Sequence, residues 1–169
     1  MPITDSTVIQ LKLAQIEGRE SAPAGCLTAM RLYHDLLLSM CDRLEFIADT
    51  LPVPVNITEC QVVTQDLLPS MTASHQFEED RFFMDARLVL KGGCALDDTI
   101  ARLCEEHRED QFFAEEICEE IRGLILGGGQ KNAEAMGYML RGFFGQMRRH
   151  IAFERDFLYI PMTEKLIRL

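Results

Sequence analysis

Four histidines are the residues of this chain best suited to bind a metal, and each falls in a different helical stretch. They are His34, His75, His107 and His150, and the sequence of 169 residues contains no others. On a helix, residues three, four and seven positions apart share a face. By that rule each histidine shares its face with at least three apolar residues, so we predict that all four imidazoles point into the protein interior.

Two of these histidines are followed by a glutamate at the fourth position, His75 by Glu79 and His150 by Glu154. The stretches that begin at the two histidines, HQFEEDRFF and HIAFERDFL, share an order of histidine, glutamate, opposite charges and aromatics. This repetition predicts two equivalent pairs, each with an imidazole and a carboxylate on one helix face.

The first stretch has a second glutamate, Glu78, at the third position after its histidine. The second stretch has Phe153 at that position, which cannot bind a metal. Because only the fourth-position spacing is common to both stretches, we predict that Glu79, rather than Glu78, is the inward carboxylate.

Carboxylates buried among phenylalanines require compensation for their charge. No lysine or arginine lies three, four or seven positions from Glu79, so a metal cation is the predicted compensation. Imidazole and carboxylate together suit iron, manganese or zinc rather than calcium. Since one zinc ion prefers four ligands, six donors indicate two metal ions that share carboxylates.

The elements that must position these residues are predicted as four long helices with short connections and no strand. Pro69 is expected to kink the second helix or to begin a new one. The LDD at 96–98 and Asn132 are expected to cap the third and fourth helices, and Pro161 to end the fourth, with a short turn or helix after it. The predicted helices are 26–49, 57–90, 98–126 and 133–158.

These helices predict an all-α fold, an up-down-up-down four-helix bundle at residues 26–160. Residues 1–25 are expected to form an N-terminal arm, and residues 161–169 a C-terminal tail. The phenylalanines and methionines around the histidines, Phe157 among them, are predicted as core.

Composition and charge disfavour some classes of binding partner and indicate a cellular compartment. With 17 basic and 27 acidic residues the formal charge is −10, which disfavours nucleic acid and anionic membranes as partners. The sequence has neither a secretory signal nor an apolar run long enough to cross a membrane. Its six cysteines are scattered, which favours a reducing cytoplasm over a disulfide framework.

With one metal-binding element on each helix, the sequence resembles the hemerythrin-like family, the bacterial His-His-Glu cation-binding domains. The resemblance covers about residues 26–160, in the order His34, His75-xxx-Glu79, His107, His150-xxx-Glu154. It implies a non-haem di-iron centre with the four histidines as terminal ligands and the two glutamates as bridges. It also implies an exchangeable position for dioxygen, nitric oxide or peroxide.

Two departures from the oxygen-carrying members are informative. Gln111 and Arg155 stand where those proteins have a further histidine and an aspartate. Four histidines with two fourth-position glutamates are more similar to the repair-of-iron-centres branch, although that branch usually carries a cysteine-containing N-terminal domain, for which this chain has no room. We hypothesise that Gln111 donates a hydrogen bond to a bound diatomic ligand, and that Glu78 and Asp110 orient imidazoles.

Three functions remain open from the sequence. The first is the handling of iron or of reactive species in oxidative or nitrosative stress. The second is reversible binding or sensing of dioxygen or nitric oxide, for which the output would lie on a separate protein partner. The third is an interaction module in which the metal only stabilises the fold.

Overall fold

The chain folds as an all-α, up-down-up-down four-helix bundle in a computed structural model, which describes residues 23–52, 56–127 and 132–168. The first helix already begins at Pro23, slightly earlier than predicted. The rest of the predicted N-terminal arm, residues 1–22, lies outside the described residues.

Two of the four bundle helices are interrupted by a π-helical turn, in which the backbone hydrogen bonds span one extra residue. The first bundle helix is α1, and the third is α4. The second bundle helix runs through α2, the turn π1 and α3, and the fourth through α5, the turn π2 and α6. The bounds are α1 Pro23–Thr50, α2 Ile57–Phe77, π1 Glu78–Phe82, α3 Phe83–Leu90, α4 Gly93–Ile125, α5 Ala133–Glu154, π2 Arg155–Tyr159 and α6 Ile160–Ile167.

Local sequence signals account for several of these helix ends. The side chain of Asn56 accepts hydrogen bonds from the backbone of Thr58 and Glu59 at the start of α2, and such a cap contributes about 1 kcal/mol. Asn132 caps α5 as predicted, through the backbone N–H of Ala135. At the end of α3, Lys91 adopts a left-handed conformation with φ 55°, which stops the helix.

Two predicted helix boundaries are wrong, and one of the two alternatives for Pro69 is also wrong. Residues 96–98 do not cap the third bundle helix but lie inside it, because α4 already begins at Gly93. Pro69 does not begin a new helix, because α2 continues past it, while a kink at Pro69 stays a prediction. Pro161 does not end the fourth bundle helix, because it falls in the first turn of α6, where a missing N–H is tolerated.

A polar layer divides the core into two apolar clusters. The first bundle helix packs against the second and the fourth, and the third packs against the same two. On each of these helices, one cluster of buried apolar residues lies before the histidine and the other after it, except that Ile151 directly follows His150 and belongs to the cluster before it. Each fully buried leucine or phenylalanine contributes roughly 1.5–3 kcal/mol, so the two clusters hold the helices firmly on either side of the histidines.

Several of the cysteines are part of the apolar core. Cys41, Cys60 and Cys118 are buried in one apolar cluster, and burial raises the pKa of the Cys41 thiol to about 12. These thiols therefore act as small apolar core residues.

Among residues 23–52, 56–127 and 132–168, no helix has both the length and the apolar character needed to cross a membrane.

Candidate metal centre

The polar layer contains one histidine from each bundle helix. All four are at least 93% buried, as the helix-face rule predicted, with exposed fractions between 3% and 7%. Two carboxylates in the same layer are buried even more completely, Glu78 at 1% exposed and Glu154 at 0%. Six potential ligands from four helices therefore meet between the two apolar clusters.

Glu154 lies between two of the histidines. Its Oε2 atom is 3.0 Å from His34 Nε2 and 3.6 Å from His150 Nε2. Burial alone would raise the pKa of Glu154, but the hydrogen bonds and charges of these two histidines lower it well below its usual value. In turn, burial would lower the pKa of His150, but Glu154 raises it to about 10.

Glu78 occupies the matching place beside His107, whose ring is stacked on that of His75. Its Oε2 atom is 3.0 Å from His107 Nε2, and its Oε1 atom accepts a hydrogen bond of 2.7 Å from Ser74 Oγ. The ring of His75 stacks on that of His107, with centroids 3.9 Å apart and planes within 5°. Burial, with the nearby charges of His107 and His150, lowers the pKa of His75 to about 3.

The prediction that Glu79 is the inward carboxylate is wrong. Its side chain is 43% exposed, and its Oε1 atom lies 2.8 Å from His107 Nδ1, on the outer side of that ring. Viewed along the helix axis, Glu78 and Glu79 lie on opposite sides of His75. They are rotated from it by about −60° and +40°. The ring of His107 inserts between the two glutamates, which leaves Glu78 inside and Glu79 at the surface.

An equivalent outer contact exists at the fourth bundle helix, and sequence spacing did not reveal it. Glu106 Oε2 lies 3.1 Å from His150 Nδ1, and Glu106 belongs to the third bundle helix. Acceptors at Nδ1 fix the tautomer and the orientation of an imidazole, so that Nε2 is free to bind a metal. Glu79 and Glu106 are therefore placed to orient His107 and His150.

Several inner atoms of this layer make no hydrogen bond, although His107 Nε2 and Glu78 Oε2 lie only 3.0 Å apart. Among the described residues, the buried atoms without a hydrogen bond include Nε2 of three histidines and one oxygen of each inward glutamate: His75 Nε2, His107 Nε2, His150 Nε2, Glu78 Oε2 and Glu154 Oε1. One ligand atom from each of Glu78, His107, His150 and Glu154 lies within 4.8 Å of the others. Since buried polar atoms are nearly always paired, converging unpaired nitrogens and oxygens fit a metal cation well.

Next to His107, the residue that faces inward is Asp110 rather than Gln111. Asp110 is 1% exposed, whereas Gln111 is exposed, so the hypothesis that Gln111 binds a diatomic ligand is wrong. Asp110 does not orient an imidazole as proposed, because its Oδ1 atom accepts a hydrogen bond of 2.6 Å from Gln146 Nε2. Burial raises the pKa of Asp110.

The π turns lie directly beside the two inward glutamates. Glu78 is the first residue of π1, and π2 begins just after Glu154. One extra residue changes the phase of the following helix by about 100°. As a result Phe157, predicted as core, is 61% exposed, while Phe83 contacts the ring of His107, with centroids 5.9 Å apart.

A pocket of about 420 Å³ lies between the third and fourth bundle helices and reaches this layer. Its wall includes Glu106, Asp110, Gln146 and His150. In the part of the chain that the structure describes, this pocket connects the ring of His150 with the protein surface.

Comparison with known proteins gives one match. The family model described as "Hemerythrin HHE cation binding domain" matches residues 27–162, which include all four histidines and both inward glutamates. Searches of curated proteins and of solved structures found no match to the chain.

Proposed function

Because the chain belongs to the hemerythrin HHE cation-binding domain family, we propose that it is a non-haem iron protein with two iron ions in its buried layer. The ligands would be the four histidines together with two glutamates, namely His34, His75, His107, His150, Glu78 and Glu154. Glu78 takes the place that spacing had assigned to Glu79. Manganese or zinc could use the same donors.

The observation that carries this proposal is the set of buried nitrogen and oxygen atoms that make no hydrogen bond, in a layer with an apolar cluster on either side. Leaving a buried polar group unpaired costs roughly 1–3 kcal/mol, and several such groups converge here. A cation that binds imidazole and carboxylate together removes all of these penalties at once. Neither apolar cluster offers another partner for them.

Two ions are favoured over one by the way the carboxylates are placed. Glu154 Oε2 faces both His34 and His150, while its Oε1 atom has no partner. A carboxylate with one oxygen engaged and the other available can be shared between two cations. Glu78 and the stacked pair of His75 and His107 supply the remaining donors.

We further propose that the protein handles iron or reactive species during oxidative or nitrosative stress, as its similarity to the repair-of-iron-centres pattern suggests. When bound, iron would supply one-electron redox chemistry and an exchangeable position for dioxygen, nitric oxide or peroxide. The chain itself positions the ligands, orients His107 and His150 from outside, and encloses the layer between two apolar clusters.

Reversible binding of dioxygen or nitric oxide is the second candidate, and the aromatic wall favours it. Phe82 and Phe83 are buried at 0% and 1% exposed, and the ring of Phe83 stacks beside His107. A dry apolar wall limits proton access, which slows irreversible oxidation. Signalling through such a site would require a separate protein partner.

Optical spectroscopy of the iron-loaded protein tests the proposal and separates the candidates. We expect ligand-to-metal absorption from the oxidised protein that changes when nitric oxide is added anaerobically. Changes that reverse on removing the gas favour reversible binding, while consumption of peroxide or release of iron favours stress handling. A colourless zinc protein whose melting temperature depends on metal would instead indicate a metal that only stabilises the fold.

A further inference from the structure

The pocket between the third and fourth bundle helices is lined by three carboxylates that are not among the proposed metal ligands. Exposed Glu109, half-buried Glu106 and buried Asp110 all line it, with His150 in its wall. These carboxylates extend from the protein surface to the polar layer.

Asp110 is the residue in this pocket whose buried carboxylate is only partly hydrogen-bonded. It is 1% exposed, and only one of its oxygens, Oδ1, is engaged, by the side-chain amide of Gln146. Its Oδ2 atom is buried without a hydrogen-bond partner. Asp110 is not one of the six ligands proposed above, and the proposed metal centre therefore leaves this oxygen without a partner.

The arginines of the pocket do not neutralise Asp110. The guanidinium of Arg102 lies over the ring of Phe153, 4.9 Å from its centroid, and its Nε atom is 3.4 Å from Glu106 Oε1. Arg149 is exposed on the fourth bundle helix. The unpaired Oδ2 atom of Asp110 therefore remains available to a cation that enters the pocket.

We propose that this pocket is the entrance through which divalent metal ions reach the buried layer, and that Asp110 is a transit ligand on that path. This inference rests on the proposed function. A hydrated cation attracted by the exposed carboxylate of Glu109 would exchange one water for Asp110 Oδ2 before it reaches the histidines. Carboxylate oxygen suits such a temporary ligand, because hard divalent cations bind it and release it readily.

The transit role predicts an effect on the rate of metal uptake rather than on the amount of metal bound. In Asp110→Asn the Oδ1 acceptor for Gln146 is retained, while the charge is removed. Mixing of the metal-free protein with Co²⁺ or anaerobic Fe²⁺ in a stopped-flow instrument should show uptake slowed on the order of tenfold. The metal content at saturation and the equilibrium affinity should match wild type.

Two further variants make this experiment decisive. Glu109→Gln is exposed and should slow uptake by about two- to threefold, so the inference stays testable if Asp110→Asn folds poorly. Glu116→Gln removes the same charge from an exposed site on the same helix, outside the pocket, and should load at the wild-type rate.

The possible failures are distinguishable. Wild-type protein that binds no metal would overturn the proposed function itself. If the wild-type protein binds metal and Asp110→Asn or Glu109→Gln loads at the same rate, the proposed entrance is wrong while the proposed function stands. A loss of affinity in Asp110→Asn, with an unchanged rate of uptake, would show that Asp110 supports the centre rather than serving as a transit ligand.

Discussion

The Nε2 atom of His107 lies 3.0 Å from the Oε2 atom of Glu78, although these residues belong to different bundle helices. Glu79, the next residue along the chain, contacts the other nitrogen of the same ring. One imidazole thus divides two adjacent glutamates between an inner and an outer position. The structure places Glu78 inside and Glu79 at the surface, and this reversal is the main difference from the sequence-based prediction.

The two glutamates should therefore respond differently to the same substitution. Glu78→Gln removes an inward charge and should lower the amount of metal bound at saturation. Glu79→Gln keeps a possible acceptor for His107 Nδ1 and should retain the full metal content, with affinity lower by about tenfold at most. Metal analysis after dialysis against a weak chelator measures both, and the opposite ranking would restore Glu79 as the inner carboxylate.

Glu106 should affect the metal affinity of the centre without being one of its metal ligands. In Glu106→Ala, His150 loses its acceptor at Nδ1, so metal affinity should fall by roughly 10- to 100-fold while the maximum metal content is unchanged. Competition with a chromophoric chelator measures this affinity. The control is Glu105→Ala, an exposed neighbour paired with Arg108, and equal affinities in the two variants would contradict an orienting role for Glu106.

Gln146, rather than Gln111, should matter for stability. Gln146→Ala leaves the buried Oδ1 atom of Asp110 without a donor, so the free energy of unfolding should fall by about 1–3 kcal/mol. Gln111→Ala alters an exposed side chain and should change it by about 0.5 kcal/mol or less. Urea unfolding of the metal-free proteins makes the comparison, and similar values for both variants would count against the contact between Asp110 and Gln146.

Metal binding should release protons at neutral pH. Glu154 holds the pKa of His150 at about 10 in the metal-free protein, so that imidazole is protonated at pH 7 and must lose its proton to bind a metal. Affinity should therefore rise with pH up to about 10. Calorimetric titrations in two buffers with different ionisation enthalpies should give different heats, and identical heats would show that no proton leaves.

The sequence was sufficient to predict the four helices and the burial of their histidines, because both follow from local periodicity. It also placed Glu154 inside. The fourth-position spacing failed where it favoured Glu79 over Glu78, and the comparison with the oxygen-carrying proteins failed where it led to Gln111 as a ligand-pocket residue. Third and fourth neighbours both approach the face of a histidine, and only the packing of another helix decides which one is buried.

Contacts between distant parts of the chain also lay beyond what spacing could predict. Glu106 meets His150 across 44 positions, and no local pattern connects them. The π turns have no sequence signature that periodicity detects, and π2 moves Phe157 from the predicted core to the surface. Gln146 was detectable in principle, since it lies four positions before His150 on the same helix.

Metal analysis of the protein loaded anaerobically with iron and then freed of excess metal tests the di-iron centre most directly. The six inward ligands predict close to two irons per chain, with absorption bands on oxidation that Glu154→Gln weakens. An ordered, helical protein that retains almost no iron, manganese or zinc would contradict the metal centre altogether.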